Sequence, residues 1–332
     1  MIICISANPA IDRRLRITEL RIGEVNRALS ARPAPGGKAA HVAMAARALR
    51  TEVLWVGFLG GGTGMECERE LAALGIPVEV VHTRIPTRVN QEIIDRNGRI
   101  TEILEPGGIV EEDEISNMIS VCDRLFDCYK TEAQVVLTGS LPPGIAPTFY
   151  ARLIEAAHSR GCFVLLDTSG EALTASLASS PDLIKPNREE AETALGHAAR
   201  DESSALEAAR AFIERGARGV ALSLGSDGLL WLASPEMEPL ILRAPVVTGR
   251  STVGCGDATL AGFAVAGHRQ EGMRERAVLA VACGAANCLA DSPGMIEAQQ
   301  VSRLASLIKV ESLASRYPRK LRNTPSGVTT QE

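Results

Sequence analysis

Short apolar runs that stop at a polar residue or a glycine, each followed by a segment of helix length, recur along this chain. Val135 to Thr138 runs into Gly139-Ser140-Leu141-Pro142-Pro143-Gly144. An amphipathic stretch over 148–159 follows, then Phe163 to Leu166 ended by Asp167, and helix and strand alternate onward. Ile2 to Ile5 and Val53 to Leu59 are runs of the same kind. Such runs read as strands buried on both faces, and their alternation with helices predicts an α/β fold: a doubly wound, mostly parallel sheet flanked by helices. With 332 residues and 45% hydrophobic side chains, the chain is long enough to bury this as one large domain.

Two stretches break the rhythm. Over 14–35, Leu15, Ile17, Leu20 and Ile22 partly alternate with charged residues before a proline-rich exit. Over 88–105, two β-prone runs flank Asp95-Arg96-Asn97-Gly98, and Asn-Gly between such runs is a hairpin signal. Together they predict a small β-sheet lid, from about 12–35 and 87–106, laid over the mouth of the main sheet.

The chemistry concentrates in Thr248 to Phe263, TGRSTVGCGDATLAGF. Gly254, Cys255, Gly256 and Asp257 run directly into an apolar helix, so Asp257 stands where the helix begins. Gly254 and Gly256 leave the preceding amides uncovered. Uncovered N–H groups at the positive end of a helix dipole form an anion site. A carboxylate at its rim can take a proton from a hydroxyl attacking a phosphoryl group. The same residues also read as an N-cap and a turn.

Other candidates stand at the ends of predicted strands or the starts of predicted helices. Asp12 follows the first strand, where open α/β sheets bind ligands, or it forms a turn. Gly36, Gly37 and Lys38 open an Ala-rich helix that carries His41; glycines there permit close approach of a ligand, and Lys38 can hold an anion. Asn187 and Glu190 follow Lys185 one helical turn apart, a hard-oxygen pair suited to Mg²⁺ through water, or else a helix cap. Arg88, in Thr87-Arg88-Val89-Asn90, and Arg27, in Val25-Asn26-Arg27, offer forks for a phosphate or line a solvated surface. The glycines from 60 to 64 fit no dinucleotide fingerprint and read as a flexible turn.

VGCGDATLAGF, NPAID, the Gly36-Gly37-Lys38 turn, SLPPG and the Asn187–Glu190 pair agree in order and spacing with the PfkB (ribokinase-like) family of carbohydrate kinases. The chain most resembles the branch of 1-phosphofructokinases and tagatose-6-phosphate kinases. The resemblance implies an ATP- and Mg²⁺-dependent kinase, with fructose 1-phosphate as the favoured acceptor. Tagatose 6-phosphate, fructose 6-phosphate, a non-phosphorylated sugar and a nucleoside are the alternatives. It implies that Asp257 is the base and that Gly254, Cys255 and Gly256 form the anion hole. It places Asp12, Arg27, Gly37, Lys38, His41, Arg88, Asn90, Gly139 and Ser140 against the sugar. ATP falls to Lys185, Asn187, Ser223, Gly225, Ser226, Gly228, Gly256 and Asn287, with Mg²⁺ near Asn187 and Glu190. Cys255 replaces the usual alanine, Ala39 a glycine, and His41 an asparagine that binds a sugar hydroxyl in that branch. In related kinases the lid also contributes to dimers, so a homodimer through the lid is one arrangement the resemblance allows. A non-catalytic sugar-phosphate sensor is the rival from another class, and Asp257 beside Asn187 and Glu190 argues against it.

A net charge of −5 and 3% aromatic residues argue against a nucleic-acid surface. Eight cysteines without a C-x-x-C pair read as reduced, mostly buried thiols. No signal-like h-region or membrane-length apolar run occurs, so the expectation is a cytoplasmic protein with no membrane partner. The kinase domain is expected over 1–315, with a disordered tail over 316–332.

Overall fold

The computed structural model describes residues 1–249, 251–314 and 316. Its strands are β1 (Ile2–Ser6), β2 (Ala10–Arg16), β3 (Ser30–Gly36), β4 (Val53–Leu59), β5 (Val78–His82), β6 (Arg88–Ile94), β7 (Ile100–Ile103), β8 (Gln134–Thr138), β9 (Phe163–Asp167), β10 (Leu183–Ile184), β11 (Val220–Ser223), β12 (Leu229–Leu232), β13 (Leu240–Arg243) and β14 (Lys309–Ser312). Ten of them form one sheet in the order β5-β4-β1-β8-β9-β10-β11-β12-β13-β14. Pairing is parallel from β5 to β11 and antiparallel from β11 to β14.

Unbroken apolar runs make this sheet because both of its faces are covered. In β1, Ile3 and Ile5 enter one core while Ile2 and Cys4 enter the other; in β9, Val164 and Leu166 oppose Leu165 in the same way. A strand alternates sides with every residue, so an apolar run serves two cores at once. β1 has β4 on one side and β8 on the other, so the strand order reverses there and a crevice opens beyond the C-terminal strand ends.

A separate four-stranded sheet, β3-β2-β6-β7, forms the lid. It begins earlier than the sequence suggested: β2 starts at Ala10, so Asp12 belongs to the lid rather than to the mouth of β1. Residues 17–29 make no strand, and Ile22, Val25 and Leu29 project from them into solvent. The Asn97-Gly98 hairpin forms, with Gly98 at φ +77° donating its N–H to Asp95. Arg14 pairs with Glu92 across the lid, and Arg13 with Glu66 fastens it to the helix below.

That helix corrects another expectation. The glycines from 60 to 64 are not a flexible turn but the cap and first turn of Gly61–Ala73. Thr87 fixes this start, accepting the Gly60 N–H on its hydroxyl and the Thr63 hydroxyl on its carbonyl. Arg316 pairs with Glu202 and Glu311, and the rest of the expected disordered tail lies outside the described residues. Among the described residues no helix is long and apolar enough to cross a membrane.

The helix Cys255–His268, which carries Asp257, packs on Met273–Leu289 at a glycine. A Cβ on Gly262 would stand 2.5 Å from the Ala280 Cα. Gly262→Ala should therefore destabilise the protein by about 1–3 kcal/mol through overpacking, although alanine is the better helix former. Urea unfolding measures this, and a gain in stability would mean that the two helices are free to separate.

Candidate active site

The C-terminal ends of β1, β8, β9, β10 and β11 and the starts of two helices converge on one crevice. Lys38–Ala48 begins at Gly37, whose φ of +82° suits glycine. Cys255–His268 begins at Gly254, at φ +76°, where a Cβ would meet Pro293. Asp257, the third residue of that helix, is buried.

The N–H groups of Gly254, Gly256 and Asp257 have no acceptor among the described residues, whereas the Cys255 N–H is turned to the Thr252 carbonyl at 3.2 Å. The anion hole expected from Gly254 to Asp257 thus has three free amides rather than four. A Cβ on Gly256 would lie 3.1 Å from Lys185 Nζ, so a buried ammonium stands beside the loop. Amides, helix dipole and ammonium all favour an anion at this point.

His41 occupies the centre of the crevice. Its Nδ1 is 2.9 Å from Asp257 Oδ2, and its Nε2 is 3.5 Å from Asp12 Oδ2. With a carboxylate at each ring nitrogen, the ring is a doubly protonated imidazolium. Burial works against that charge, but the hydrogen bonds to Asp12 and Asp257 and the attraction of both carboxylates outweigh it, pushing His41 up to about 10. Asp257 Oδ1 accepts no hydrogen bond from the described protein. Asp12 also takes the Asn90 Nδ2–H at 2.9 Å, which leaves Asn90 Oδ1 buried without a partner. Gly36 lies so close to Asp12 that any side chain there would displace the carboxylate.

Beside this group lies a second one that the sequence reading did not assemble. Asp167, at the end of β9, is buried between Lys38 Nζ at 3.3 Å and Lys185 Nζ at 3.4 Å. Despite burial, Lys185 and Lys38 hold its carboxyl below the usual range. Lys38 is raised, by Asp167 above all. The available signal was an acid closing an otherwise apolar strand. Lys38 also faces Glu190 Oε1 at 3.9 Å.

Asn187 and Glu190 cap the helix Arg188–Leu195 reciprocally. The Asn187 side chain accepts the Glu190 N–H, and Glu190 Oε2 accepts the Asn187 N–H. Among the described residues no cluster of three His, Cys, Asp or Glu side chains could hold a metal. Glu190 Oε1, outside the cap, fits a Mg²⁺ that keeps its waters and takes its other ligands from phosphates.

The remaining candidates are placed as follows. Gly139, at φ +100°, and Ser140 follow β8; Asn8 Nδ2 donates to Ser140 Oγ at 3.1 Å and to the Pro106 carbonyl, joining this loop to the lid. Ser223 ends β11, and Gly225, Ser226 and Gly228 form the exposed turn after it. Arg88 directs its guanidinium to the carbonyls of Asn8, Pro9 and Glu105, so it braces the lid in this state. Arg27 lies on the exposed 17–29 segment and contacts none of these groups. Asn287, expected beside adenine, is buried and spent on the loop: its amide donates to the Val253 carbonyl at 2.7 Å and accepts the Gly294 N–H at 2.8 Å.

A buried imidazolium makes stability depend on pH. The folded value near 10 lies above the usual 6.5, so the stabilisation is complete below about pH 6.5 and is lost as pH rises through 10. The Tm of the wild type minus that of His41→Asn should shrink between pH 7 and pH 10. A difference that stays constant or grows would mean that the ring is neutral.

Residues 2–298 match the model of the family described as "pfkB family carbohydrate kinase". A 1-phosphofructokinase of Xanthomonas campestris pv. campestris is 35% identical over 80% of this chain and 83% of its own length. A tagatose-6-phosphate kinase of Staphylococcus epidermidis is 29% identical over 93% and 99%. Among solved structures, phosphofructokinase-2 from Escherichia coli superposes in its tetrameric inhibited form with a TM-score of 0.85 at 26% identity, covering 92% of this chain and 98% of that one. In complex with fructose-6-phosphate it superposes with a TM-score of 0.84 at 25% identity, over the same shares.

Proposed function

Because the chain belongs to the pfkB family of carbohydrate kinases, we propose that this crevice transfers the γ-phosphoryl group of ATP to a hydroxyl of a ketohexose phosphate, with fructose 1-phosphate giving fructose 1,6-bisphosphate. The observation that carries the reading is the pairing of Asp257 with the anion loop. One carboxylate oxygen is fixed by His41, the other accepts no hydrogen bond from the described residues, and the loop leading into Asp257 carries three acceptor-free amides with Lys185 beside Gly256.

In this reading Asp257 Oδ1 takes the proton of the acceptor hydroxyl as it attacks. The N–H groups of Gly254, Gly256 and Asp257, with Lys185, hold the charge that spreads over the transferred group. Such fixed donors need no rearrangement as that charge develops. Asp12 and Asn90 grip the acceptor's hydroxyls from the lid, where the buried Asn90 Oδ1 lacks a donor that a hydroxyl supplies. Gly139 and Ser140 lie on the crevice's far rim. Glu190 would hold a Mg²⁺ through water, and that ion would supply neutralisation of the nucleotide's phosphate charge. The turn at Gly225, Ser226 and Gly228, with Ser223 and Asn187, lies on the nucleotide side.

A phosphorylated acceptor is supported by the names of the relatives and by the likeness of the VNR and TRVN segments to the branch, in which Arg88 would have to leave the carbonyls of Asn8, Pro9 and Glu105 to meet a phosphate. His41 replaces an asparagine that the branch uses on the sugar, which weakens the case for the 1-phosphate and leaves tagatose 6-phosphate and fructose 6-phosphate as second acceptors. The bare apolar side chains of Ile22, Val25 and Leu29 support self-association through the lid.

An ADP-release assay over fructose 1-phosphate, fructose 6-phosphate, tagatose 6-phosphate and free fructose tests the reading. The 1-phosphate should exceed free fructose in kcat/KM by about ten- to a hundred-fold, the scale of a charge-assisted phosphate contact. Equal rates would refute a phosphorylated acceptor. In the same assay Glu190→Gln should raise the Mg²⁺ concentration for half-maximal rate, and an unchanged dependence would place the metal elsewhere.

A further inference from the structure

Cys255 opens the helix that carries Asp257, two residues before it, and its sulfur lies 3.0 Å from that of Cys288 on the helix Met273–Leu289. Both are partly exposed, whereas Cys4, Cys67, Cys122, Cys162 and Cys283 are buried, as expected of most of the thiols, and Cys128 is exposed. The two segments are already held together, since Asn287 donates to the Val253 carbonyl and reaches Cys255 Sγ at 3.5 Å.

We propose that Cys255 and Cys288 form a thiol-oxidation site in which a peroxide closes a disulfide across the anion loop and switches phosphoryl transfer off. One thiolate attacks the O–O bond of hydrogen peroxide, forming a sulfenic acid and releasing hydroxide. The second thiol attacks that sulfur; the S–S bond forms, the S–O bond breaks, and the hydroxyl leaves as water with the thiol's proton. In sum two thiols lose two electrons and two protons, and one peroxide becomes two waters. The S–H···S contact favours a thiolate on the acceptor sulfur, which brings Cys288 down to about 7 while Cys255 is pushed up as the donor.

The inhibitory consequence rests on the reading of the loop given above. A disulfide draws the sulfurs from 3.0 Å to about 2.05 Å. Cys255 is flanked by two of the three free amides, and Pro293 blocks Gly254 on one side. A displacement of about 1 Å in groups that must meet a transferred phosphoryl costs on the order of 100-fold in rate.

The test treats the full chain in a Cys128→Ser background with hydrogen peroxide, then reads linked peptides by mass spectrometry and ADP release by a coupled assay. The expected result is a peptide joining Cys255 to Cys288, 2 Da lighter than the sum of the two reduced peptides (loss of two hydrogens, about 1 Da each). Activity should fall at least about tenfold and return with dithiothreitol. Cys288→Ala should keep its rate through the same treatment. Absence of the linked peptide overturns the proposal, and so does a linked enzyme that turns over at the reduced rate. The peptide is read without substrate, so a wrong acceptor leaves it standing; basal ATP hydrolysis then replaces the coupled rate.

Discussion

A single imidazolium ring holds the crevice together. His41 stands on the helix Lys38–Ala48, yet its two nitrogens face Asp257 on another helix and Asp12 on the lid. Three separate elements thus meet at one charge. The buried carboxylate of Asp257 and the partly buried one of Asp12 would repel across the crevice, and a cation between them turns that repulsion into a tie. The ring also sets which oxygen of Asp257 stays open. It therefore links the closure of the lid to the aim of the proposed base.

A second buried charge set repeats the device one step along the sheet edge. Asp167 lies between Lys38 and Lys185, and Lys185 stands behind Gly256. Carboxylates and cations interleave from Asp12 to Glu190, so each buried charge has an opposite neighbour. Lys185 is held by Asp167 beside a loop with free amides, the arrangement that the proposed anion site requires.

Much of this was legible in the sequence. The strands of the main sheet are apolar at consecutive positions, so they announced themselves, and the Asn97-Gly98 hairpin followed from turn chemistry. The start of the lid was missed because Ala10-Ile11 reads as the tail of the first strand's loop; pairing with β3 and with β6, about 80 residues away, makes it a strand. The glycines from 60 to 64 carry low helix propensity, which contact with Thr87 overrides. Long-range side-chain contacts were the least legible. Nothing local marks His41 as the partner of Asp12 and Asp257, Asp167 as the centre of a lysine pair, Asn287 as a loop brace, or Cys255 as the neighbour of Cys288. The Asn187–Glu190 spacing allowed both a metal site and a cap, and the structure shows the cap geometry.

The central claim is that Asp257 acts as the base at the anion loop. Steady-state kinetics of Asp257→Asn at neutral pH, with ATP affinity measured alongside, test it most directly. Asparagine keeps the size of the side chain and an oxygen that His41 can meet, but it cannot accept the proton. The account predicts a kcat lower by about 10²–10⁴ with ATP affinity nearly unchanged. A variant that turns over at a rate close to the wild type would contradict it and leave Asp257 as no more than the first turn's acid.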